Sequence, residues 1–164
     1  MELQPIQYKQ LISQIGDLLT TGREQAAVQV NTILVQTYWG IGRYIVEFEQ
    51  KGNEKAEYGS QLFERLSKDL TLAYGKGFSR SNLSYMRKIY ISFQKRETLS
   101  HKLTWSHYFE ILNADSELEI GFYAKQTEKE RWSVRELKRQ MESYQLYLPD
   151  KSQLENVLNK LLEE

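Results

Sequence analysis

The sequence predicts an all-α fold, one multi-helix domain of about seven to eight helices spanning residues 1–164, with a helix-turn-helix-like unit near its middle. Three observations predict it. The two prolines, Pro5 and Pro149, stand close to the ends, so the interior carries no helix breaker of that kind. Apolar residues recur at i, i+3 and i+4 over most of the chain, the period of a helix with one buried side. No stretch alternates apolar and polar residues between hairpin turns, as a half-buried strand would.

The totals narrow the function. At 164 residues the chain suits one domain. Its 22 Lys and Arg balance 22 Asp and Glu, which argues against a non-specific polybasic binder, so a surface for a polyanion must be local. The absence of cysteine excludes disulfides and thiolate metal centres. No run reaches the ~18 apolar residues of a membrane span, and the first residues lack the basic and apolar segments of a signal peptide. A cytoplasmic protein with no membrane partner is expected.

Taken in order, Pro5 suits a first helical turn, where its missing N–H costs nothing. Ile6, Leu11, Ile12, Ile15, Leu18 and Leu19 stripe a first helix, which Thr20-Thr21-Gly22 is expected to end. A second helix is expected from Arg23 to Lys51. Val30, Leu34, Thr37, Ile41, Tyr44 and Phe48 recur along it at near-heptad spacing, and Ile33, Trp39 and Ile45 widen the stripe. Gly40 and Gly42 each cost about 1 kcal/mol there relative to alanine, which a kink or a close helix crossing would justify. This helix reads as the central core helix, with a coiled-coil-like dimer seam as the sharper alternative.

Gly52 to Glu57 reads as a polar connection. Leu62, Phe63, Leu66, Leu70 and Ala73 mark the next helix, ended by Gly75. Lys76, Gly77 and Phe78 make a turn, Ser79 caps the following helix, and Phe78 with Leu83 forms a hydrophobic staple. Gln94 to Lys102 reads as an exposed polar loop. Thr104 or Ser106 caps a short helix carrying Tyr108, Phe109, Ile111 and Leu112. Ser116 with Glu119, and Ser133 with Glu136, fit capping boxes; Trp132 and Leu137 staple the second, so a helix runs from Val134 to about Tyr144. Pro149 and Asp150 start a last helix, residues 150–163, whose Leu154, Val157, Leu158, Leu161 and Leu162 stripe suits a linker or an interface.

The stretch from about residue 58 to 95 is the helix-turn-helix candidate, and it holds the most uneven charge in the chain. Lys76, Arg80, Arg87, Lys88, Lys95 and Arg96 fall between Leu70 and Arg96, with no Asp or Glu among them. In the second helix Leu83, Met86, Ile89, Tyr90 and Phe93 take the packing side. At roughly 100° per residue, Arg80, Ser81, Ser84, Lys88, Ser92 and Lys95 take the other, with Arg87 at the border. Cations for phosphates and short donors for base edges are what a helix needs in a major groove. Arg80, Ser81, Ser84 and Lys88 are expected to reach the groove, and Lys76, Arg87, Lys95 and Arg96 to hold phosphates. The competing reading is an ordinary helical hairpin with a solvated basic side. Arg131, Arg135, Lys138 and Arg139 form a second basic edge, diluted by Glu128, Glu130 and Glu142.

Catalytic chemistry finds no such support. His101 and His107 have no cysteine partners, and His107 reads as a capping or packing residue. No glycine-rich phosphate loop follows a strand, and no serine sits in a nucleophile elbow. Glu136-Leu137-Lys138 matches half of a nuclease Glu-x-Lys motif, but on a capped helix rather than a strand. No catalytic residue, cofactor or metal is expected.

Trp39-Gly40-Ile41-Gly42-Arg43-Tyr44-Ile45-Val46-Glu47, Ala56-Glu57-Tyr58-Gly59 and Leu66-Ser67-Lys68-Asp69-Leu70 begin a family resemblance. It continues through Gly75-Lys76-Gly77-Phe78-Ser79-Arg80-Ser81-Asn82-Leu83, Met86-Arg87-Lys88-Ile89-Tyr90, Thr104-Trp105-Ser106-His107-Tyr108 and Trp132-Ser133-Val134-Arg135-Glu136-Leu137. Over roughly residues 23 to 145 the chain resembles the N-terminal domain of the YhcG-like proteins, a domain of unknown function. The resemblance implies a helical, helix-turn-helix-like domain that usually precedes a PD-(D/E)xK nuclease domain. It implies a role in nucleic-acid targeting or assembly, with the nuclease expected in cis in a longer chain or in trans. The expectation is therefore a DNA-binding module without its own catalysis, able to pair as a homodimer. The alternative is a protein-interaction or dimerisation module built on the helix of residues 23–51, Tyr38, Trp39 and the terminal leucines.

Overall fold

The computed structural model describes residues 5–50, 56–147 and 151–163. Among these there are seven α-helices and no strand: α1 Pro5–Gln50, α2 Ala56–Tyr74, α3 Arg80–Ser92, α4 Trp105–Ile111, α5 Glu117–Glu130, α6 Val134–Tyr147 and α7 Lys151–Glu163. A single 3-10 turn, Arg96–Thr98, follows α3. The expected all-α class holds. The expected starts of the last helix at Pro149 and Asp150, and the end of the long helix at Lys51, lie outside the described residues.

The two helices expected before residue 51 are one. α1 runs 46 residues, roughly 69 Å, straight through Thr20-Thr21-Gly22. A glycine ends a helix when it adopts a left-handed turn whose apolar flank packs on something. Here residues 8–30 are all exposed, so nothing rewards such a turn, and strong helix formers on both sides carry the helix across.

The C-terminal half of α1 is the central core helix. It packs mainly on α3, and the two backbones meet at Gly42. A Cβ built there would lie 1.9 Å from the carbonyl oxygen of Met86 and 2.6 Å from its carbon. Of the two expected reasons for the glycine pair, a close crossing is therefore the one at work, and only at Gly42; a Cβ on Gly40 meets nothing within 4 Å. Ile45, Leu83 and Met86 fill the space beside the crossing, with Phe63, Leu66, Leu70 and Phe78 packed on them from α2 and the turn. On the other side Val35 and Trp39 join Ile89, Tyr108, Ile111, Leu112, Phe122 and Leu137 in the larger core.

Trp39 belongs to this core rather than to an interface. It is 8% exposed, its indole N–H donates to the Phe93 carbonyl at 2.7 Å, and its ring meets Tyr90 edge-on. The terminal helix packs by one side: α7 lies on α5, Leu154 is buried and Leu158 sits over Gly121, while Val157 and Leu162 stay exposed. Leu99 is buried too, so the segment Gln94 to Lys102 is not a wholly exposed loop. Its polar character hid this anchor, and Ser100 N–H adds a second contact by donating to the Tyr108 hydroxyl at 2.8 Å.

The caps form with altered partners. The capping box that closes reciprocally is Thr104 with His107: His107 N–H donates to Thr104 Oγ1, and Thr104 N–H donates to His107 Nδ1 at 3.0 Å. Ser116 and Ser133 cap as expected, but Glu119 reaches back to Asp115 N–H, and Glu136 binds Arg139 and Gln140 instead of the chain before it.

Two outcomes follow from this packing. Gly42→Ala drives a methyl into α3 backbone and lowers stability by at least about 1–3 kcal/mol, whereas Gly40→Ala raises it by up to about 1 kcal/mol; chemical denaturation of the two variants measures the contrast. Burial pushes the phenols of Tyr108 and Tyr123 up from 10.0 to about 12. A raised value means the folded chain holds its proton while the unfolded chain ionises, so stability is full below about pH 10 and falls as pH rises toward 12. In denaturant titrations across that window, Tyr123→Phe loses less stability than the parent.

Candidate nucleic-acid interface

The turn before α3 sets the geometry. Gly75 and Gly77 take φ of +89° and +109°, a region that residues with a Cβ rarely adopt. Gly75 N–H closes on the Thr71 carbonyl at 2.9 Å and stops α2. Ser79 Oγ accepts from Asn82 N–H at 3.1 Å, and the Asn82 side-chain amide donates back to the Gly77 carbonyl at 3.3 Å. Phe78 packs against the Leu83 cluster, completing the expected staple. The turn is thereby held at both ends, and Lys76, Arg80, Ser81 and Ser84 project from it into solvent.

Further along α3 the expected row of free cations is interrupted. Arg87 is not available to a phosphate. Its guanidinium makes two hydrogen bonds, 2.7 and 3.0 Å, to the carboxylate of Glu49 near the end of α1. Lys88 Nζ donates to the Leu112 carbonyl at 2.7 Å. Leu112 is the C-cap of α4, so this ammonium sits at the negative end of a helix and serves it. Ser92 Oγ donates to Glu117 at 3.1 Å, which brings a second carboxylate beside the basic side. Arg96 donates to the Gln36 amide oxygen at 2.8 Å, which leaves its charge uncancelled, and Lys95 is exposed.

The acid-free window was a statement about neighbours in sequence. Glu49 lies outside it and reaches Arg87 only because α1 crosses α3 seven residues earlier, at Gly42. The cations that keep their charge uncompensated are Lys76, Arg80, Lys88, Lys95 and Arg96. Arg80 opens α3, roughly 18 Å from its last residue Ser92, and Lys95 and Arg96 lie just beyond that end.

Half of the second basic edge is neutralised. Arg139 is paired with Glu136 at 2.7 Å and Lys138 with Glu110 at 3.4 Å. The Glu136 carboxyl is held below the ordinary range by its hydrogen bond from Arg139 and then by Gln140. Glu136-Leu137-Lys138 thus lies on α6 with both charged members engaged and Leu137 buried in the core. His107 is structural in the same sense. Its Nδ1 faces a backbone N–H and its Nε2 faces the Trp132 carbonyl at 2.8 Å, so the proton sits on Nε2 and the ring clamps α4 to the start of α6. The sequence signal for this was the threonine three residues before it. Among the described residues no group of three or more His, Asp or Glu converges as a metal site.

Comparison with known proteins places this chain among relatives. The DUF1016 N-terminal domain matches residues 14–148. A protein of Escherichia coli K12 named "Putative nuclease YhcG" is 37% identical over 166 aligned positions, which cover 82% of this chain and 44% of that protein. The chain thus spans less than half the length of the curated relative it matches. No solved structure matches it. With most of the chain, from the exposed part of α1 through α6, inside one family's boundaries, it belongs to the DUF1016 N-terminal domain family.

Proposed function

We propose that this domain is the DNA-engaging, targeting module of a nuclease-associated protein, acting in the cytoplasm and leaving cleavage to a nuclease domain in cis or in trans. The observation that carries the reading is the exposed N-terminal turn of α3. Arg80, Ser81 and Ser84 stand there beside Lys76 with no carboxylate partner, at the end of a helix whose own dipole is positive. Helix-turn-helix proteins contact base edges with the N-terminal residues of the second helix, which is the part of α3 left free here. Lys95 and Arg96 extend the row toward flanking phosphates. The relative's name, which says nuclease, fits such a role.

A second reading, a protein-interaction module, is favoured by the apolar side of α1 that no other described element covers. Trp39 does not contribute to it, since its ring is buried in the core.

With Arg87 committed to Glu49, about four phosphates are neutralised, and log affinity for a duplex falls with log salt at a slope near −3 to −4. Fluorescence anisotropy across a salt series measures it, and a flat line removes the DNA reading. Lys76→Glu with Arg80→Glu abolishes binding while leaving helicity and melting unchanged, because neither side chain is packed. Arg87→Ala behaves in the opposite way: it leaves the salt slope in place and lowers stability. A double-mutant cycle with Glu49→Ala returns a coupling of about 1 kcal/mol, as for a partly exposed bidentate pair.

A further inference from the structure

Twelve of the sixteen large hydrophobic side chains exposed among the described residues lie on one element, α1. Ten of them form a single stripe. Tyr8, Ile12, Ile15, Leu19, Gly22, Ala26, Val30, Ile33, Thr37, Ile41, Tyr44 and Phe48 follow one another at intervals of three or four, with Leu11 and Leu18 at the stripe's edge. The mean interval is about 3.6 residues, that of a straight helix, so the stripe runs along α1 without winding around it. Its named positions carry no charge, and Arg23 and Glu47 stand at its two margins, at the angular positions of Ile41 and Leu11. It also lies opposite the side that holds Val35, Trp39 and Gly42 against the core.

At its C-terminal end the stripe opens into an apolar groove. Ile41, Tyr44, Ile45 and Phe48 form one wall and Leu62, Leu66, Leu70 and Tyr74 of α2 the other, around a volume of about 670 Å³. The N-terminal half of α1 has the complementary shape: an isolated helix, apolar along the same side, with no groove of its own.

We propose that two copies of this chain pair through α1 in antiparallel fashion, the N-terminal half of each helix seated in the α1–α2 groove of the other. This deepens the interaction-module reading by naming the partner and the register, and it is independent of DNA binding. A two-fold axis at Val28 sets Tyr8 against Phe48, Ile12 against Tyr44, Ile15 against Ile41 and Leu19 against Thr37. The small residues Gly22 and Ala26 fall near the centre, where two straight helices must approach closely. Large exposed side chains of this kind present roughly 60–100 Å² each, so the stripes of two copies remove on the order of 1,200–2,000 Å² from water, the range of a stable specific dimer. A self-complementary surface that closes on a two-fold leaves no second sticky patch.

The absence of cysteine makes the register directly testable. Ile12 and Tyr44 lie on one continuous helix, roughly 48 Å apart, so no bond can form between them within one chain. Mixed Ile12→Cys and Tyr44→Cys proteins are expected to give the disulfide-linked heterodimer in preference to either homodimer, and the parent chain to sediment as a dimer at micromolar concentration. Ile12→Asp with Ile15→Asp is expected to give a monomer that keeps the parent's near-ultraviolet circular dichroism, since neither side chain touches the folded body, and whose melting no longer depends on concentration. A dimer that links Ile12 to Ile12 overturns the antiparallel pairing and leaves the interaction reading standing. A parent chain that stays monomeric through that range overturns self-association itself.

Discussion

The approach of α1 to α3 at Gly42 is the constraint on which the other packing depends. Two helix backbones touch there through the Met86 carbonyl, and no larger residue fits without moving one of them. The close contact sets both cores at once. Beside it Ile45, Leu83 and Met86 close around Phe78 and the α2 stripe. Beyond it Trp39 reaches the Phe93 carbonyl and the larger core of α4 to α6. Ridge-into-groove packing at this distance needs a missing side chain on one helix, and Gly42 supplies it.

The same crossing reshapes the electrostatics of α3. It brings Glu49 beside Arg87 and lets the helix end at Leu112 take the Lys88 ammonium. Both cations gain structural work in the second half of α3. The first half, at the turn, keeps exposed cations and short hydroxyls. A neutral protein thus retains a small region of uncompensated positive charge, whose position is fixed by Gly75, Gly77 and the Ser79 cap rather than by charge itself.

The two halves of α1 solve different problems. From about Asn31 onward the helix is buried on one side and organises the body; before that it is exposed all round. An isolated helix of such length gains little from propensity alone, and most helical stability comes from packing an apolar side. Its exposed stripe and the groove at its other end belong to the same line of residues, the geometry on which the proposed self-pairing rests. His107 plays a comparable joining part inside the body, capping α4 with one nitrogen and holding the start of α6 with the other.

What the sequence determined by itself is local. Helical period, the Ser79, Thr104, Ser116 and Ser133 caps, the Phe78–Leu83 staple and the glycine turn depend on residues within a few positions of one another, and they formed where spacing put them. The tertiary structure decided what depends on distant partners. Whether Thr20-Thr21-Gly22 breaks a helix depends on whether anything packs there, and none of the chain's other described elements does. Whether Arg87 is free depends on Glu49, and whether Trp39 is surface or core depends on Phe93. Gly40 and Gly42 are indistinguishable along the chain, yet only Gly42 faces Met86. Periodicity reports which side of a helix is apolar; it carries no information about which element arrives to cover it, or which charge comes with that element.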